Sequence, residues 1–260
     1  MKIIAVCNQK GGVGKTTTAI NLAACLAATE KKTLLVDMDA QCNATTGIGL
    51  EKDSRDVSVY DVLTNQKKNG AQASIKEVII PSEQITYLDI IPSTVDLAGA
   101  EIELVNVIAR ERQLANALDD IRGAYDYVII DSPPSLGLIT INVLTATDSV
   151  LIPIQCEYYA LEGLAELLNT IRLVQKNLNR NLVIEGVLLT MYDSRLNLSK
   201  QVAEDVRNCF SGKVFDSIVP RNVKLSESPS FGKPIILYDI MSSGAESYLS
   251  LAKEIMQNDV

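Results

Sequence analysis

Two lysines bracket a glycine turn near the start of the chain, in the run Lys10-Gly11-Gly12-Val13-Gly14-Lys15-Thr16-Thr17. Glycines let backbone N–H groups close around phosphate oxygens, and a following helix aims its positive N-terminus at the same anion. Lys15 is placed to neutralise the β- and γ-phosphates of a nucleotide, and the Thr16 hydroxyl to hold Mg²⁺. The common spacing of such a loop, G-x-x-x-x-G-K-[ST], puts glycine where this chain has Gln9. Here Lys10 adds a second cation at the loop mouth. It is either a solvated loop charge or a group that reaches a nucleotide held by another subunit, as an arginine finger does in trans.

Two apolar runs end in carboxylates. Leu34-Leu35-Val36 leads to Asp37 and Asp39, followed by Ala40 and Gln41. Tyr127-Val128-Ile129-Ile130 leads to Asp131, followed by Ser132, Pro133 and Pro134. A strand-tip carboxylate beside a phosphate loop binds Mg²⁺ through water next to the loop threonine, which gives Asp131 that role. The two prolines stiffen the next loop, where a γ-phosphate would be sensed.

To bring these groups together, the loop and both carboxylates must sit at the carboxyl ends of neighbouring strands. Runs rich in Val, Ile and Leu predict strands over 2–7, 33–38, 87–91, 127–130, 149–154 and 183–190. They alternate little, as strands covered on both faces do. Helices are predicted between them over 15–29, roughly 96–122, 136–146, 157–178, 198–210 and 245–256. The β–α alternation implies an α/β fold: a single-domain, doubly wound, mostly parallel sheet with right-handed crossovers.

Composition agrees. With 260 residues, 47% hydrophobic and 22% charged, the chain can bury one large core. No Pro/Ser/Gly-rich linker divides it, so one domain over 1–260 is expected. Five widely spaced cysteines (Cys7, Cys25, Cys42, Cys156, Cys209) form no C-x-x-C pair, which fits reduced thiols in a cytoplasmic protein. There is no histidine, so proton handling falls to carboxylates, lysine or backbone. No apolar run approaches the length of a membrane span. The net charge of −8 argues against nucleic-acid binding, but residues 191–240 hold seven Lys/Arg against six Asp/Glu. A mildly cationic segment on an acidic body suits weak DNA contact that needs two copies.

The K-G-G-x-G-K-[ST] run, with Lys10 and Lys15, resembles the deviant Walker A P-loop NTPases of the MinD/ParA superfamily, which form ATP-sandwich dimers. Within them the chain looks most similar to the ParA/Soj group of DNA-partition ATPases, from Met1 to about Lys253. The resemblance gives Asp39, the second Asp of D-x-D-P-Q, the task of positioning the attacking water, with Lys10 and Lys15 as the other catalytic residues. Asp37 becomes a support near Mg²⁺, itself held by Thr16 and Asp131. This chain has Ala40 where the group has proline and Cys42 where it has glycine, which leaves the turn geometry open. The D-x-P-P run after Asp131 is shared. The stretch 154–163 matches a segment at the group's dimer face; its other reading is a capped helix with core aromatics. The stretch 219–227 looks like the adenine loop: Asn222 carries an amide for the N6/N1 edge and Pro220 an apolar face. Nucleotide contacts are therefore expected from Gly11, Gly12, Val13, Gly14, Lys15, Thr16, Thr17, Pro220 and Asn222. Arg195 and Lys224 match basic positions that contact DNA, although each alone reads as a solvated charge. Lys200, Arg207 and Lys233 are the next candidates.

The function so implied uses ATP and Mg²⁺. ATP closes a homodimer, the dimer binds non-specific double-stranded DNA, and a ParB-type centromere-binding partner stimulates hydrolysis and release. The place would be the cytoplasm, on the nucleoid. The alternative is a nucleotide-switched positioning or replication-regulatory protein in which turnover and DNA carriage are secondary. Neighbouring groups fit less well. Residues 252–260 do not form the basic amphipathic helix of membrane-binding MinD proteins, so no membrane is expected. The loop 132–135 has no cluster-ligating cysteine, as nitrogenase iron proteins require, and the C-x-x-C of iron–sulfur scaffold ATPases is absent. With the loop at residue 10, no N-terminal helix-turn-helix domain is expected.

Overall fold

The computed structural model describes residues 1–52, 57–65, 72–158 and 163–259. The apolar run Lys2–Val6 forms β1, the inner strand of an eight-stranded sheet. The others are β2 (Thr33–Asp37), β3 (Ile80–Pro81), β4 (Leu88–Ile91), β5 (Tyr127–Asp131), β6 (Ser149–Gln155), β7 (Val183–Tyr192) and β8 (Val214–Pro220). Their order is β3-β4-β2-β5-β1-β6-β7-β8, parallel throughout except where β3 meets β4.

Parallel neighbours need crossover segments, and helices supply them. In chain order they are α1 (Lys15–Ala28), α2 (Asn43–Gly47), α3 (Val59–Thr64), α4 (Ile75–Val78), α5 (Leu97–Glu103), α6 (Gln113–Asp119), α7 (Leu138–Ala146), α8 (Leu164–Asn177), α9 (Asn197–Cys209), α10 (Val223–Glu227), α11 (Ile235–Tyr238) and α12 (Ser243–Asn258). Because strand side chains alternate between faces, two apolar clusters form. Ile4, Val6 and Leu35 pack with Leu22 and Leu26 of α1 and Leu251 and Ile255 of α12. On the other face Ala5, Val36 and Ile130 pack with Val143 of α7, Ile171 of α8 and Val206 of α9. Full burial of each such aliphatic side chain contributes about 1.5–3 kcal/mol. The doubly wound fold expected from the β–α alternation is the one observed.

The order also explains how the site assembles. β5 lies between β1 and β2, with Asp131 in register with Val6 on one side and Asp37 on the other. Two strand tips from distant parts of the chain therefore place their carboxylates side by side, next to the loop that leaves β1.

The structure departs from the sequence reading in several places, beginning with the short helices α2, α3, α4, α10 and α11, which no expected helix covers. β8 was not predicted: its Val214–Pro220 run is interrupted by Asp216 and Ser217, whose backbone N–H groups donate to Glu254 of α12 at 2.8 and 3.0 Å. That side chain covers an edge that would otherwise stay open. β3 is only two residues, one of them Pro81. The single helix expected over 96–122 breaks into α5, two 3-10 turns and α6, with Ala109 left-handed at φ 53°. Asn142 of α7 holds the break open, donating to the Arg110 carbonyl at 2.7 Å and accepting from Leu114 N–H at 3.3 Å. The helix expected from 157 starts at Leu164; Glu157 and Tyr158 are non-helical, and residues 159–162 lie outside the described residues.

Candidate nucleotide site

The loop leaves β1 at Cys7 and enters α1 at Lys15. Gly14 caps α1 in the left-handed region at φ 89°, and Gly12 lies there too at φ 76°. Any side chain is strained at such angles, so the glycines give the loop its tight path. No charged side chain occupies the first turn of α1 besides Lys15, which leaves the helix dipole facing the loop. The loop is anchored from outside. Thr190 Oγ1, at the tip of β7, donates to the Val13 carbonyl at 2.9 Å, and Asn8 Nδ2 donates to Pro153 O of β6 at 2.7 Å.

Lys15 is 8% exposed, and its Nζ donates to the Lys10 carbonyl at 3.0 Å. Burial pushes its ammonium below the usual lysine range, opposed chiefly by the charge of Asp131 and also by that of Asp39. A partly desolvated cation with one neutral acceptor gains most from an arriving phosphate.

Asp131 has no exposed surface, and neither carboxylate oxygen has a hydrogen-bond partner. Burial first, then the charge of Asp37, raise its pKa well above the ordinary carboxylate range; Thr16 and Lys15 act the other way. Thr16 is near enough to favour the charged form without completing a hydrogen bond to it. Buried polar atoms are normally satisfied, so two orphaned oxygens facing Thr16 and Lys15 fit a hydrated cation. Among the described residues there is no cluster of three or more His, Cys, Asp or Glu able to hold a metal. Thr16 and Asp131 thus fit Mg²⁺ whose other ligands are water and phosphate oxygens.

Asp37 differs from its neighbour. Its Oδ2 accepts from Thr45 N at 2.8 Å and Thr45 Oγ1 at 2.7 Å, and its Oδ1 accepts from Asp39 N at 3.1 Å. Burial still raises its pKa to about 6. With both oxygens engaged, it braces the loop that carries Asp39, and Thr45 is its partner, which the sequence reading missed. Asp39 is half-buried at the mouth, its Oδ1 accepting from Gln41 N at 2.9 Å. The turn beyond explains the group's glycine: Cys42 is left-handed at φ 57°, so this chain carries a strained cysteine there. Cys7, where the loop leaves β1, is buried, which pushes its thiol up to about 12 and leaves it un-ionised.

Next to Gly14 and Thr17 opens a cavity of about 240 Å³, lined further by Thr190, Pro220, Asn222 and Leu225. Its place and apolar wall suit a nucleoside. Pro220 forms part of that wall. Asn222 is not free for the role expected: its Oδ1 caps α10, accepting from Lys224 N at 2.8 Å and Leu225 N at 3.4 Å, while Nδ2 donates to Ser243 at 2.8 Å. One N–H remains for a ring nitrogen, but no acceptor for an exocyclic amine.

The basic residues sit outside the cavity. Arg195, its side chain 86% exposed, makes a two-pronged pair with Asp193 at 2.7 and 2.9 Å. Those bonds hold the Asp193 carboxyl down at about 2. Lys224 stands 3.5 Å from Glu227 and over the Tyr238 ring, on α10, whose Leu225 and Ser226 line the cavity. Both cations are solvent-exposed yet ion-paired, and Lys224 sits on the helix that borders the nucleotide cavity.

A glycine loop at the carboxyl end of a central parallel strand, with a buried strand-tip carboxylate beside it, is the working end of a P-loop nucleoside triphosphatase; Lys10 marks the deviant Walker A type. Known proteins agree. The family described as an AAA domain matches residues 1–184. The chain is 60% identical over 257 residues to the sporulation initiation inhibitor protein Soj of Bacillus subtilis, covering 99% of each. It is 58% identical to the chromosome partitioning protein ParA of Myxococcus xanthus, covering 99% of this chain and 89% of that one. A solved structure named as cobyrinic acid a,c-diamide synthase of Mycobacterium smegmatis, with bound ADP and magnesium, superposes with a TM-score of 0.85. It is 35% identical and covers 99% of this chain and 95% of that one. The chain belongs to the ParA/Soj family of partition ATPases. No helix among the described residues is long and apolar enough to cross a membrane.

Proposed function

We propose that this chain is one ATPase domain, residues 1–260, that carries DNA during partition as an ATP-closed homodimer in the cytoplasm, on the nucleoid. The observation that carries the nucleotide half is the pair of orphaned Asp131 oxygens beside Thr16 and Lys15. Thr16 and Asp131 would hold Mg²⁺, which when bound would neutralise charge at the phosphate oxygens. Loop N–H groups from Gly11 to Thr17 cradle the phosphates, Lys15 moves from the Lys10 carbonyl to the β- and γ-oxygens, and Lys10 reaches the partner's nucleotide. Asp39, braced by Asp37, orients the attacking water. Pro220 packs on the base, and Asn222 shapes its pocket as a helix cap.

DNA phosphates are met by Arg195 and Lys224 from both subunits, and a ParB-type centromere-binding protein triggers hydrolysis and release. The ion pairs of both cations favour one competing reading, a nucleotide switch in which DNA carriage is secondary. Pelleting on non-specific duplex DNA separates the two. Carriage requires ATP-dependent pelleting that the centromere-bound partner reverses, and an Asp39→Ala protein that dimerises and stays on the DNA. If the wild type dimerises with ATP yet never pellets, the switch reading holds; if Asp39→Ala stays monomeric, its water-positioning role fails.

A further inference from the structure

Gln9 occupies the position where the common loop has glycine, and its side chain is put to use. Its Nε2 donates to Glu166 Oε2, in the first turn of α8, at 2.7 Å. Its Oε1 is buried without a partner, and a Cβ on Gly163 would stand 3.4 Å from it. Gly163 is left-handed at φ 77° and caps α8. The side chain therefore runs into the N-terminus of α8 and fills the space that Gly163 leaves open.

The next residue, Lys10, is held on both sides of its backbone. Its N–H donates to Asn8 Oδ1 at 3.0 Å, and its carbonyl accepts from Lys15 Nζ at 3.0 Å. Asn8 is 6% exposed and fixed to Pro153 of β6. The Lys10 ammonium, in contrast, has no ion-pair partner among the described residues, and the residue is only partly buried. A long cation that must reach across to a second subunit loses rotamer and backbone freedom on engagement, so an anchored stem lowers that cost.

We infer that Gln9 is a positioning residue: its bond to Glu166 clasps the loop to α8 and sets the direction in which Lys10 leaves the subunit. The inference rests on the reading that Lys10 acts in trans. Glycine at this position, as in the common loop, would cradle phosphate equally well but leave the stem of Lys10 unclasped. The substitution of the loop glycine by Gln9 and the added Lys10 are then one device. Orientation errors of about 1 Å at a charge-stabilising group cost up to about a hundredfold in rate, so a single side-chain clasp has measurable leverage.

A double-mutant cycle tests this, read as dimer dissociation constant with a non-hydrolysable ATP analogue in sedimentation, with monomer ATP affinity alongside. Gln9→Gly and Glu166→Ala each weaken the dimer on the order of tenfold, while the monomer's ATP affinity stays within about twofold. Glu166→Gln, whose amide carbonyl still accepts from Gln9, restores the dimer. Neither substitution adds to the loss in Lys10→Ala. Additive losses, or an equal fall in monomer ATP affinity, overturn the clasp and make the bond merely structural. A wild-type dimer constant in Lys10→Ala overturns the trans reading itself. Loss in Lys10→Ala with a wild-type constant in Gln9→Gly overturns the clasp alone.

Discussion

At the phosphate end of the site, the groups that matter are buried and held by distant parts of the chain. Asp37 and Asp131 meet across β2 and β5, Thr45 braces Asp37, and Thr190 of β7 anchors Val13. At the other end, around α10, the groups are exposed and bound to near neighbours: Arg195 to Asp193, Lys224 to Glu227, Asn222 to Lys224 N. Burial makes a charge costly unless a ligand completes it, so each buried residue is committed to one task. Exposed ion pairs are weak and exchange partners readily, which suits contacts made only after two subunits meet. The first end commits its groups to one place; the second holds its cations in exchangeable surface pairs.

The largest effect is expected at the buried end. Lys15→Ala removes the cation from a preorganised site, so ATP turnover should fall by about a hundredfold or more, with weaker nucleotide binding. Steady-state hydrolysis and nucleotide titration check it, and wild-type turnover would sink the assignment of the loop.

Charge reversal at the exposed end should separate its two cations. Arg195→Glu should abolish ATP-dependent DNA binding in filter assays at moderate salt and leave dimerisation intact. Wild-type binding should weaken alike for all sequences as salt rises, log K falling by about 0.9 per phosphate neutralised. Lys224→Glu should lose DNA and also shift ATP affinity, because α10 borders the cavity. Intact DNA binding in both variants moves the surface to Lys200, Arg207 or Lys233.

A smaller effect concerns pH. Folded, nucleotide-free protein keeps the Asp37 proton up to about pH 6, whereas the unfolded chain releases it near about 3.9. The folded state binds more protons in between, so this carboxyl favours folding at low pH and that contribution is lost as pH rises through about 6. Denaturant melts from pH 4 to 7 should show the fall, and Asp37→Asn should flatten it; an unchanged slope in that variant would place the titration elsewhere.

The smallest effect is expected at the strained turn. Cys42→Gly relieves the left-handed backbone while losing a buried thiol, so the net change should be below about 1 kcal/mol. Cys25→Gly, inside α1 with no strain to relieve, should cost about 2–3 kcal/mol by the same measure. Equal losses at the two cysteines would deny that the turn at Cys42 is strained.

Much of this was legible in the residues themselves. A glycine loop between an apolar run and an Ala-rich helix has one stable use, and an apolar run ending in Asp131 has few others, because both signals lie within one turn or one strand. The central strands were legible for the same reason: burial on both faces demands continuous Val, Ile and Leu. β8 was not, since an edge strand tolerates Asp216 and Ser217 when Glu254 from another element covers them. The broken helix over 97–119 was hidden too, because the group that stabilises the break, Asn142, is supplied by α7. The same holds in the site. That Asp37 is engaged by Thr45 while both Asp131 oxygens stay unpartnered, that Asn222 spends its carbonyl as a cap, and that Gln9 bonds to α8 are decided by which partners the tertiary packing delivers. Short-range pattern determined which residues carry the chemistry. Strand order and packing decided which of their polar atoms remained free to perform it.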